Sequence, residues 1–138
     1  MNRKELVSRI FVAAGIFNFV GAGLALLTQN PVMEIYPEVF SGFGLLAILL
    51  WGWAYVAVSK SFAQVSPLIF VFFVEKLVYV GSWIYWWTHN WGETSQKIYD
   101  EQFMAWFFLV GYGPGDAAFG AFFLWVFWTT KSNIENSN

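Results

Sequence analysis

A glutamate and a lysine stand side by side, Glu75-Lys76, in the middle of an apolar run from Val65 to Trp87. That run is long enough to cross a bilayer, and ionisable groups inside a span are costly and commonly mark a binding site, a proton relay or an ion pair. Successive residues on a helix diverge by about 100°, so the two side chains need partners on different elements. Lys76 precedes Trp87 by eleven residues, about 16 Å of helix, which is too deep for its ammonium to snorkel easily to water. Its candidate partners lie around Glu75 and at Asp116, and Asn18, halfway along the first apolar run, is a fourth polar group at similar depth. Together Glu75, Lys76 and Asp116 sum to −1 when ionised, a charge that a low-dielectric interior disfavours, so one carboxyl is expected to hold a proton. Such a cluster binds or conducts a proton or small solute; the alternative is a structural ion pair that fixes helix register.

Where Asp116 sits depends on the segment ahead of it. Gly111-Tyr112-Gly113-Pro114-Gly115-Asp116 places three glycines and a proline in six residues, a composition poorly suited to a continuous helix. Two readings follow. Either a last span over 103–130 is broken at mid-depth, with Asp116 near the midplane, or 103–110 lies at the interface and Asp116 caps a short final helix over 114–130.

The elements that must position these groups follow from composition. Of 138 residues, 58% are hydrophobic and only 12% charged, about half the charged fraction of a soluble domain. The fold class expected is all-α: an integral membrane four-helix transmembrane bundle forming one domain over 1–138, with spans near 7–28, 40–58, 65–87 and 103–130 or 114–130. The basic start Arg3-Lys4 followed by an apolar run could open a signal peptide, but the run lasts to Thr28 with no A-x-A-like site before Pro31, so it reads as an uncleaved first span. Arg3, Lys4, Arg9, Lys60 and Lys131 fall on one side of these spans, and Glu34, Glu38, Glu93, Asp100 and Glu101, with only Lys97 among them, on the other. The positive-inside rule then places both the N- and C-termini in the cytoplasm. Asn30-Pro31 ends the first span, Ser66-Pro67 suits the first turn of the third, and the polar stretch 88–102 reads as an exposed loop.

Other features point to ordinary membrane packing. Ala14, Asn18, Ala22 and Ala25 in the first span, and Ser41, Gly44, Ala47 and Ala54 in the second, recur at spacings that suit close helix contact. Trp83, Trp86, Trp87 and Trp91 read as an interfacial aromatic belt. The single histidine, His89, reads as an exposed loop residue, too little for a metal centre or a two-histidine haem. No cysteine is present, which excludes disulfide and thiolate chemistry, and a net charge of −2 without a basic stripe argues against nucleic acid. No cofactor is implied.

The segments Phe17-Asn18-Phe19-Val20-Gly21-Ala22-Gly23, Trp51-Gly52-Trp53-Ala54-Tyr55, Glu75-Lys76, and Gly115-Asp116 ahead of Phe119 and Phe122-Phe123 together resemble DoxX-like small four-helix membrane proteins of bacteria, a family of unassigned function. The resemblance covers most of the chain in short pieces. It implies the bacterial cytoplasmic (inner) membrane and a last helix opened by the glycine-aspartate pair, and it implies no activity. A more distant similarity is to sterol-isomerase-like membrane bundles, whose aromatic cavities use acidic residues.

Three functional classes remain open. The first is a binding or conducting bundle centred on Glu75, Lys76, Asp116 and Asn18. The second is an enzyme on a lipid or isoprenoid, with an acidic residue in a pocket lined by Trp51, Tyr55 and Tyr79. The third is a subunit or stabiliser of a larger membrane complex. The leading expectation is binding rather than catalysis, with the lipid bilayer and a lipid or small apolar ligand as partners and with a homo-oligomer or a larger complex as the assembly.

Overall fold

The computed structural model of the chain describes residues 2–135, and the side chains of residues 2–130; Met1 and the side chain of Lys131 lie outside this range. Seven α-helices follow in order: α1 Arg3–Leu27, α2 Val32–Ile35, α3 Pro37–Phe40, α4 Gly42–Val58, α5 Ser66–Asn90, α6 Glu93–Glu101 and α7 Phe103–Glu135. The described residues contain no strand. Three helices, α1, α5 and α7, are long and apolar enough to cross a membrane, and α4 is a shorter apolar helix.

Local chemistry sets the boundaries. Asn2 caps α1 by accepting from the Glu5 amide at 2.8 Å, which satisfies one of the orphan donors at a helix start. The helix stops where Gln29 takes a positive φ of 48° and the Asn30 side chain accepts from the Val32 amide, turning the chain into α2. Ser41 accepts from the Gly44 amide and so begins α4. Pro67 lies in the first turn of α5, where its missing N–H costs little. Gly92, with φ of +89°, makes the turn into α6, a left-handed conformation that any other residue enters at a cost. The stretch 88–102 is therefore not the loop its polarity suggested: α5 runs on to Asn90 and α6 fills most of the remainder.

The long helices pair, α1 along α4 and α5 along α7. Gly15 and Gly52 set the first pairing, because a Cβ on Gly15 would lie 2.8 Å from the Gly52 carbonyl oxygen. Such backbone proximity is how helices associate without water to drive them together. Side chains join the pairs in two apolar cores. One, at the end carrying α2, α3 and α6, gathers Val32, Tyr36, Phe40, Trp86, Leu109 and Tyr112. The other, at the opposite end, gathers Val7, Phe11, Tyr55, Phe62, Phe72 and Phe123.

The glycine-proline segment neither breaks α7 nor starts it. The helix is continuous from Phe103 through Pro114, so the mid-depth break of one sequence reading and the late helix start of the other are corrected, as is the implication that Gly115-Asp116 opens the last helix, while the 103–130 bounds match the apolar span Phe103–Thr130. Tertiary contacts override local preference here. Gly113 packs directly beneath the Trp83 ring and Gly115 beneath the Phe17 ring, in spaces a Cβ would invade. Trp83 also donates its indole N–H to the Leu109 carbonyl at 2.8 Å, next to the Val110 carbonyl whose intrahelical donor Pro114 lacks. The tryptophan cluster is thus mostly structural: Trp86 is buried, Trp83 and Trp87 point to α7, and Trp91 alone of the four is well exposed.

Candidate functional site

Four polar side chains from three helices meet between the two apolar cores. Asn18 of α1, Glu75 and Lys76 of α5 and Asp116 of α7 are 3%, 7%, 2% and 5% exposed. Lys76 is the hub. Its Nζ donates to Asp116 Oδ1 at 2.6 Å and to Asn18 Oδ1 at 3.3 Å, and lies 3.6 Å from Glu75 Oε1. Gly120, one turn after Asp116, lets the lysine stem lie against α7, since a Cβ there would stand 3.2 Å from Lys76 Cβ.

The divergence of adjacent helical residues sorts the partners. While Lys76 turns to α1 and α7, Glu75 turns to α4, where the Tyr55 hydroxyl donates to its Oε2. The other carboxylate oxygen, Oε1, is paired electrostatically with Lys76 but accepts no hydrogen bond. Asn18 is held by its own amide, whose Nδ2 donates to the Ile48 carbonyl of α4 at 3.1 Å. That bond aims Oδ1 at the lysine. The ammonium also lies 5.2 Å from the Tyr55 ring centroid and 5.9 Å from that of Tyr79, within reach of cation–π attraction.

This cluster forms part of the wall of a cavity of about 710 Å³ between α1, α5 and α7. Asn18, Glu75, Lys76, Tyr79 and Asp116 line one end; Val20, Leu24, Phe107 and Phe108 line the apolar middle; Thr28 and Asn30 stand at the far end. Because α1 and α7 touch only sparingly, the walls remain open sideways: Val20, Leu24, Met104 and Phe107 are all exposed on the surface. An apolar cavity with a few convergent polar groups has the form of a ligand site.

No family model, curated protein or solved structure matches the chain. The chemistry must be read from the site alone.

Tyr79 lines the cavity, but Trp51 and Tyr55 do not. Tyr55 is fully buried behind the cluster, and both rings pack edge-on against Phe72 in the apolar core. The pocket expected from Trp51, Tyr55 and Tyr79 is therefore corrected: two of its three residues support Glu75 and the core from behind. Tyr112, Gly111 and the Ile48 carbonyl were missed in the sequence; among 31 aromatic residues one tyrosine carries no signal, and a backbone carbonyl carries none anywhere. His89 is exposed, and no group of three or more metal-ligating side chains occurs among the described residues.

Proposed function

We propose that this chain is a four-helix integral membrane protein of the bacterial cytoplasmic membrane, both termini cytoplasmic, whose buried Asn18–Glu75–Lys76–Asp116 site binds a small ligand drawn from the membrane. The observation that carries the reading is the cavity, because it joins the lipid-facing gap between α1 and α7 to the charged cluster. A purely structural ion pair needs no such access. An open cavity beside such a pair only forfeits dispersion contacts.

Charge distribution and length support the membrane orientation. Arg3, Lys4 and Arg9 begin α1 and Lys60 follows α4, while Glu34, Glu38, Glu93, Asp100 and Glu101 belong to α2, α3 and α6, which fits the positive-inside rule. As a fourth span, the 17-residue α4 gives about 26 Å of helix, short of a typical hydrocarbon core and met by local thinning of the bilayer. The resemblance to DoxX-like proteins supports the same architecture and compartment.

Photolabelling tests the reading. In nanodiscs, an alkyl diazirine is expected to label peptides containing Tyr79 and Gly111 in addition to the lipid-facing surface. Gly111 faces open space in the cavity wall, so Gly111→Phe is expected to abolish cavity labelling while surface labelling around Leu50 persists. Identical labelling of both proteins would refute ligand access.

A further inference from the structure

The cavity leaves two hydrogen-bonding atoms unused. Among the described residues, the buried side-chain oxygens without a hydrogen-bond partner are Glu75 Oε1 and the Tyr112 hydroxyl, and both residues line the cavity. Tyr112 is 7% exposed and lies one helical turn from Asp116, on the same face of α7. Buried polar groups are ordinarily hydrogen-bonded, so the Tyr112 hydroxyl calls for a partner that the protein itself does not supply, while Glu75 Oε1, ion-paired with Lys76 at 3.6 Å, still has room to accept a hydrogen bond.

We propose, resting on the ligand-binding reading above, that the ligand is a neutral single-chain amphiphile with a hydroxyl-bearing head, of the monoacylglycerol class, and that Tyr112 selects it. Charge decides against the other heads. A carboxylate would add a negative group to a cluster that already sets two carboxylates against one ammonium. An amine would set a second ammonium beside Lys76 and bring its own desolvation cost into a buried site. A hydroxyl does neither, because it can accept from Tyr112 and donate to Glu75 Oε1 without altering the charge balance.

Shape decides the tail. From Asn18 to Thr28 the cavity follows α1 for ten residues, about 15 Å, between the apolar walls of Val20, Leu24, Phe107 and Phe108. That space suits one chain running away from the charged end, while the gap between α1 and α7 admits it sideways from lipid. Both oxygens are shielded from water, so the head reaches them only once the Glu75 or Tyr112 side chain turns toward the cavity that both residues line.

The test is equilibrium binding of monolaurin, laurate, dodecylamine and dodecane to wild type, Tyr112→Phe and Gly111→Phe in phosphatidylcholine nanodiscs, corrected for uptake by empty discs. Wild type is expected to bind monolaurin about tenfold more tightly than the other three. Tyr112→Phe is expected to lose that preference, yet to unfold no more readily when empty, since the hydroxyl it removes has no partner. Retention of the preference in Tyr112→Phe, or equal binding of laurate or dodecylamine to wild type, would overturn the proposal. If dodecane binds wild type, is excluded by Gly111→Phe, and monolaurin gains nothing over it, the head-group inference fails while the cavity reading stands. If no probe responds to Gly111→Phe, the cavity reading fails as well.

Discussion

Lys76 shows how a costly residue is made tolerable in an apolar interior. Its ammonium has Asp116 and Asn18 as acceptors and Glu75 nearby, so the charge is distributed over three partners. Removing it strands two carboxylates at once. Lys76→Met is therefore expected to destabilise the protein by about 3–5 kcal/mol in detergent unfolding, and Lys76→Met/Asp116→Asn to recover most of that loss; an additive double variant would contradict coupling between the two groups. Asn18, Glu75, Lys76 and Asp116 were legible in the sequence because polar groups stand out in apolar runs. Tyr112 was not, because being unpartnered is a property of the packed molecule and leaves no mark on residue type. Trp51 and Tyr55 were misplaced for a similar reason: an aromatic residue on a neighbouring helix can back a charged cluster or its core as readily as line a cavity.

At the scale of elements, α7 carries the main lesson about local preference. Glycine and proline between 111 and 115 argue for a break, and in water they would often cause one. In this chain Gly113 and Gly115 are instead the spaces into which Trp83 and Phe17 pack, so the same residues that weaken the helix permit its closest contacts. Gly113→Ala is accordingly expected to lower stability by about 1–3 kcal/mol despite alanine's better helix propensity. Trp83→Leu/Gly113→Ala should lose less than the sum of the two single changes, and simple additivity in thermal unfolding would count against this packing. The start of α5 at Pro67 was legible, because a first-turn proline acts through near neighbours; the caps Asn2 and Ser41, which begin α1 and α4, were not read from the sequence. The helical character of α6 was hidden by its polarity, which reflects its exposure rather than its conformation.

For the whole molecule, the two helix pairs leave one seam partly open, and the charged cluster lies at one end of it. The absence of cysteine makes orientation directly measurable. Single cysteines at Asn2 and Lys60 are expected to react with an impermeant maleimide only after the inner face is exposed, and one at Gln96 from outside in intact cells; the reverse pattern would invert the topology. That the chain is built on long apolar helices was legible from composition, but four spans were expected and three helices are long and apolar enough to cross a membrane, the 17-residue α4 being shorter. The cavity was not legible, since it arises from how sparingly α1 and α7 touch. The central claim is that this cavity is a ligand site, and linkage tests it most directly. Thermal unfolding of wild type and Gly111→Phe would be compared in detergent with and without monolaurin. Ligand at a hundredfold excess over its Kd should stabilise wild type by about 2.7 kcal/mol and leave Gly111→Phe unmoved. Equal stabilisation of both proteins, or of neither, would contradict the account.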